Sequence, residues 1–170
     1  SIKRKILKSG RVRRTEVRNR KKIREMASVS DLPLLPKALR KIKPYLQRAK
    51  ETESKFPVVA FYACKYAATV GTDIIRGPAQ GDKEATKFIV ALLDGLEANK
   101  GSIQLTDKEA QEQILGFAMK IFKKADDKYR AGMADKSTGR ALYAAGNFLT
   151  TLKQFGPLES RVDGVRKYSL

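Results

Sequence analysis

The stretch Phe88-Ile89-Val90-Ala91-Leu92-Leu93-Asp94-Gly95-Leu96-Glu97 gathers its apolar side chains on one side only at helical period. Phe88, Leu92 and Leu96 recur at i, i+4, i+8, and Ile89, Leu93 and Leu96 at i, i+4, i+7. The stripe is wider than the ~100° that a helix needs to sit on one core. Two readings are open at this level. In the first, the whole stripe is core and Asp94 and Glu97 are solvated. In the second, one edge packs inward while the other, flanked by the two acids, faces a partner.

The rest of the chain repeats the same period. Pro33 and Pro36 mark a linker, after which Leu39, Ile42, Leu46 and Ala49 recur as on a helix, with Pro44 near its start or at a kink. Pro57 is placed to open a helix whose stripe is Val59, Tyr62, Ala63, Tyr66 and Val70. Ala60, Ala63, Ala67 and Ala68 let neighbouring helices come close to it. Gly77-Pro78 breaks the chain, and Asp82 is a candidate N-cap for the helix that ends near Gly101. Thr106-Asp107-Lys108-Glu109 fits a capping box ahead of Ile114, Ala118, Ile121 and Ala125. A further helix carries Ala141, Leu142, Ala145, Phe148, Leu149 and Leu152, and Gly156-Pro157 reads as a stop followed by a new start through Val162, Val165 and Tyr168. No segment alternates with period two between turn signals. The expected fold is all-α: two three-helix units side by side, residues 32–101 and 102–170, the second cut short by the chain end.

Charge sets residues 1–31 apart as a basic flexible arm. Residues 1–30 hold 12 Lys and Arg against two acids, a net +10, which leaves +8 of the total +18 for the other 140 residues. Met26-Ala27-Ser28-Val29-Ser30 looks like an ordinary start, so part of what precedes it is expected to be foreign to the protein proper. A basic arm can bind polyanions by releasing their counterions, but no aromatic residue is interleaved to stack on bases.

Chemistry is sparse. The chain has no histidine, which removes the usual general base and the commonest metal ligand. The single Cys64 lies in an apolar run and reads as a small core residue. Nearly all the acids scatter over polar helix faces, and the adjacent pair Asp126 and Asp127 project about 100° apart, too far to share a substrate or metal. No Gly-rich phosphate loop is present, and Gly71 and Gly95 interrupt helices singly, as close packing does. No catalytic, cofactor-binding or metal-binding residue is nominated, no small-molecule substrate is expected, and the chain is not expected to be an enzyme. No apolar run reaches the ~20 residues of a membrane span, so a cytoplasmic protein is expected.

Leu32-Pro33-Leu34-Leu35-Pro36, Pro57-Val58-Val59-Ala60-Phe61-Tyr62-Ala63-Cys64, Leu92-Leu93-Asp94-Gly95-Leu96-Glu97-Ala98 and Ala118-Met119-Lys120-Ile121-Phe122 occur in the order found in one family. With Ala125-Asp126, Arg130-Ala131-Gly132, Phe155-Gly156 and Arg166-Lys167-Tyr168, they resemble the N-terminal domain of the Vta, or LYST-interacting-protein, family over about residues 32–170. That family regulates the AAA ATPase that disassembles ESCRT-III polymers in endosomal sorting. The resemblance implies tandem MIT modules that bind C-terminal helices of ESCRT-III subunits between their second and third helices. Carried onto this sequence, it puts Tyr62 and Tyr66 on one wall of a groove and Leu93 and Leu96 on the other, with Asp94 and Glu97 placed to pair with basic residues of the partner.

Family members continue to a C-terminal domain that dimerises and binds the ATPase. This chain stops at Tyr168-Ser169-Leu170, so it is expected to bind ESCRT-III at endosomal membranes without stimulating the ATPase. The alternative, from charge alone, is a basic helical nucleic-acid-binding protein. Phosphate binding through the arm would weaken steeply with salt, whereas helix capture in a groove would respond modestly.

Overall fold

A computed structural model describes residues 28–170, and the expectations placed on residues 1–27 lie outside the described residues. Six α-helices form among them and no strand: α1 (Lys43–Thr52), α2 (Pro57–Arg76), α3 (Lys83–Lys100), α4 (Asp107–Arg130), α5 (Lys136–Thr151) and α6 (Ser160–Ser169). Single 3-10 turns precede α1 at Val29–Asp31 and Lys37–Ile42, and another, Leu152–Phe155, follows α5. The all-α expectation holds.

Local chemistry fixes the helix ends. Pro44 and Pro57 sit in first turns, where a missing N–H costs nothing. The Asp82 carboxylate accepts from the Ala85 N–H at 3.0 Å. Thr106 and Glu109 close a reciprocal capping box, with the Thr106 N–H donating to Glu109 Oε2 at 2.9 Å. Asp135 accepts from the Thr138 N–H at 2.8 Å and opens α5. The last helix starts at Ser160 rather than at Pro157: Gly156 turns the chain at φ 132°, and Glu159 takes the N-cap position in an extended conformation (φ -57°, ψ 143°) without a side-chain cap.

Apolar side chains collect in two clusters. The first joins Leu39, Ile42 and Leu46 to the Ala60, Ala63 and Ala67 face of α2 and to Phe88, Ile89 and Leu92 of α3. The second joins Ala110, Ile114 and Ala118 of α4 to Phe148, Leu149 and Leu152. Val59 and Tyr62 of α2 are buried in this second cluster, so α2 packs against α1 and α3 on one side and α4 and α5 on another. The apolar residues of the 32–101 segment therefore serve both cores. α2 is also long and apolar enough to cross a membrane, contrary to the expectation that no run reaches that length; half of that stretch is buried inside the protein, which accounts for its composition.

Close approach of α2 and α3 depends on Gly71. A Cβ there would overlap Cδ1 of Ile89 and touch Cδ1 of Ile42 at 3.5 Å. Gly116, in α4, has nothing within 4 Å of the same position. Gly71→Ala should therefore destabilise by about 1–2 kcal/mol, overpacking outweighing the gain in helix propensity. Gly116→Ala should stabilise by up to about 1 kcal/mol. Thermal unfolding should resolve the opposite signs as shifts of about 2–4 °C per kcal/mol.

The caps also predict an acid response. The backbone N–H and then the hydroxyl of Thr106 hold the Glu109 carboxyl below its usual range. The Ser137 hydroxyl, followed by the N–H and hydroxyl of Thr138, does so more strongly for Asp135. Depressed carboxyls stabilise fully above their unfolded value of about 4 and lose that contribution as pH falls through the lower folded value. The urea midpoint should fall as pH is lowered below about 4, and Asp135→Asn should flatten that slope.

Candidate interaction groove

α2 and α3 run antiparallel through a short turn, so Phe61 and Lys65 near the start of α2 lie beside Leu93 to Glu97 near the end of α3. Between them runs a groove of about 570 Å³, closed at its end by Ile103, Leu105 and Asp107. It continues along α2 past Ala68, Thr69 and Thr72 to Arg76, with Leu93 and Leu96 on the opposite wall. The Thr69 and Thr72 hydroxyls donate back to the carbonyls of Lys65 and Ala68, so this stretch of wall satisfies its own polar groups.

The wide stripe of α3 divides by burial. Phe88, Ile89 and Leu92 are 2 %, 1 % and 3 % exposed, whereas Leu93 is 46 % exposed and both Asp94 and Glu97 face solvent. Leu96 belongs to both edges: it packs against the first cluster and lines the groove. Glu97 lies 3.8 Å from Lys100, an exposed pair of little energetic weight. Asp94 has no ion-pair partner among the described residues.

The two tyrosines separate. Tyr62 lines the groove but is 4 % exposed, its ring packed 5.4 Å from Phe61 and 5.2 Å from Phe155, with the Lys65 ammonium 5.1 Å above it. Burial, then the charge of Asp107 and its hydrogen bond, push the Tyr62 phenol up. Tyr66 does not line the groove, and its expected place on that wall is corrected. Its ring meets Tyr45 of α1 edge-on at 4.8 Å. One further turn along a helix adds 40°, and where α2 is buried on two sides that rotation carries Tyr66 from one neighbour to another. Phe61, Lys65, Ile103, Leu105 and Asp107 escaped the sequence reading. Apolar Ile103 and Leu105 in a connection between two helices were the available signal.

A second cavity, of about 410 Å³, lies on the other side of α3 between Ala60 and Cys64 of α2, Leu92 and Leu96 of α3, and Val29 and Leu32. The segment covering it was expected to be the end of the flexible arm. Instead Ser28–Asp31 forms a capped turn held by Glu53: Ser28 Oγ donates to Oε1 at 2.8 Å and the Val29 N–H to Oε2 at 3.1 Å. Asp126 is a second correction to the picture of solvated acids. It is 8 % exposed, accepting from Arg130 Nε at 2.7 Å and from the Tyr168 hydroxyl at 3.4 Å, which ties α6 to α4. Among the described residues no three His, Cys, Asp or Glu side chains are grouped to hold a metal ion.

An all-helical chain with an apolar, acid-rimmed groove between two antiparallel helices has the form of a helical interaction domain. The family described as Vta1 like matches residues 41–169, and the chain belongs to it. It is 36 % identical over 130 residues to the Arabidopsis thaliana protein named Homolog of mammalian LYST-interacting protein 5, covering 76 % of this chain and 30 % of that protein. It is 34 % identical over 151 residues to the Homo sapiens vacuolar protein sorting-associated protein VTA1 homolog, covering 85 % and 47 %. With the Dictyostelium discoideum protein of the same name the identity is 31 % over 141 residues, covering 82 % and 26 %. The chain thus spans between about a quarter and a half of the length of these relatives.

The covered cavity makes Cys64 a reporter. Burial, with Glu53 adding to it, pushes its thiol up to about 12, so the native protein should resist alkylation near pH 8 and react fully when denatured. Glu53→Ala frees the Ser28–Asp31 turn and should speed Cys64 alkylation at least several-fold without unfolding the chain, as followed by mass spectrometry.

Proposed function

We propose that this chain is the ESCRT-III-binding part of a regulator of endosomal protein sorting. Its relatives are named vacuolar protein sorting-associated proteins, and its own α2–α3 groove is suited to a helix. Residues 32–101 and 102–170 act as two MIT-like modules, the first of which captures the C-terminal helix of an ESCRT-III subunit. Leu93 and Leu96 receive the leucine face of that helix, and Asp94 and Glu97 pair with its arginine or lysine residues. Apolar burial supplies affinity, and rim charge supplies register and selectivity. The protein works on the cytoplasmic face of endosomal membranes as an adaptor, without catalysis of its own.

One observation carries this reading: Leu93, a leucine left 46 % exposed on the groove wall beside Asp94, which has no ion-pair partner among the described residues. A leucine in that position gains by burial against a partner, and a basic helix would bring a cation to the carboxylate beside it. Peptides from ESCRT-III C-termini, titrated by fluorescence anisotropy, should bind the wild-type chain. Leu93→Asp should weaken them about tenfold or more, in line with burial of one leucine. Because the site is half exposed, the variant should keep its unfolding temperature. Equal affinity for both proteins would sink the assignment.

A further inference from the structure

The groove is not built by α2 and α3 alone. Ile103 and Leu105, from the connection between α3 and α4, and Asp107, the first residue of α4, close its end. Ile103 packs against the second apolar cluster, so this end wall is anchored in the far half of the protein. Asp107 lies close enough to Tyr62 for its charge to push that phenol up. A carboxylate has about four acceptor positions, so Asp107 can accept from a cation docked at this end.

Charge marks the occupant. At this end Asp94, Glu97 and Asp107 stand against Lys65 and Lys100, three carboxylates to two ammoniums, in a chain whose net charge is +18. The Lys65 ammonium lies over the Tyr62 ring and Lys100 is engaged by Glu97. Asp94 and Glu97 are one turn apart, roughly 4.5 Å along α3, and Asp107 adds a third acceptor beyond the end of that helix. The walls below them are apolar through Phe61, Leu93, Leu96 and Leu105.

We propose that residues 103–107 are a specificity-determining part of the groove: Ile103 and Leu105 limit how far a bound helix can run, and Asp107 accepts from a basic residue at that helix's end. The occupant is an amphipathic helix with a leucine face and a terminal arginine or lysine. This rests on reading the α2–α3 groove as a helix site, and it adds that the second half of the chain helps to choose what the first half binds.

The test uses the full chain and synthetic amphipathic helices with leucine at i, i+3 and i+7, bearing arginine at one terminus, at the other, or alanine at both. One arginine peptide should bind the wild type about threefold to tenfold more tightly than the alanine peptide, the range of a partly screened ion pair. Asp107→Asn should abolish that preference while leaving the alanine peptide's affinity within about twofold, and Asp107→Glu should restore it. A purely structural role for Asp107 would weaken all peptides alike and would overturn the proposal. So would an unchanged preference in Asp107→Asn. Leu93→Asp separates the two levels. If it abolishes binding while Asp107→Asn keeps the preference, the groove stands and only the end-wall proposal fails. If it binds as the wild type does, the groove reading fails and the proposal with it.

Discussion

Everything in this fold depends on α2 being buried on two sides at once. Its alanine face, from Ala60 to Ala67, packs against α1 and α3, and its Val59 and Tyr62 edge packs against α4 and α5. Small residues make this possible, since alanine lets helix axes approach and Gly71 removes the last Cβ where Ile89 presses on α2. A helix so enclosed must be apolar around most of its circumference, and that is why it has the composition of a membrane span without being exposed like one.

The same enclosure shapes the groove. Only a narrow strip of α2 is left facing outward beside α3, and it is made of Phe61, Lys65, Thr69, Thr72 and Arg76. α2 therefore contributes a mostly polar wall, and the apolar grip comes from Leu93 and Leu96 of α3 and from the connection that follows it. α3 can offer this edge because it lacks a second core among the described residues: Phe88, Ile89 and Leu92 satisfy the first cluster, and Leu93 is left 46 % exposed. An over-wide apolar stripe thus has opposite meanings in the two helices. In α2 it reflects two cores, and in α3 one core and an open edge.

Periodicity found each helix because amphipathic burial at 3.6 residues per turn is a local property, and the caps at Asp82, Thr106 and Asp135 are equally local. What stayed hidden depended on partners distant in sequence. Tyr62 and Tyr66 share one stripe, and only the placement of α1 and of the turn after α5 around α2 sends one to Phe155 and the other to Tyr45. Arg130 lies one turn from Asp126 and is visible as a pair, but the Tyr168 hydroxyl that helps enclose that carboxylate comes from 42 residues away. Residues 28–31 read as arm because their anchor, Glu53, lies in the turn after α1, 25 residues on from Ser28. The division of the α3 stripe was legible as a possibility, and the choice between its two edges came from resemblance to a family rather than from the pattern.

A net charge of +18 and a groove rimmed by carboxylates look contradictory until distance is considered. At physiological ionic strength charges are screened beyond about 8 Å, so a docked cation responds to the groups lining its site and little to the +18 carried elsewhere. Locally the sign is reversed, with Asp94, Glu97 and Asp107 facing Lys65 and Lys100. The overall charge acts at longer range, where it slows the approach of a basic partner and hastens that of an anionic surface. Added salt would relieve the long-range repulsion while weakening the short contacts, and these opposed terms leave affinity only mildly salt-dependent. Polyanion binding has no such compensation, since every counterion released adds to the same slope. The chain thus presents opposite signs of charge at long and at short range.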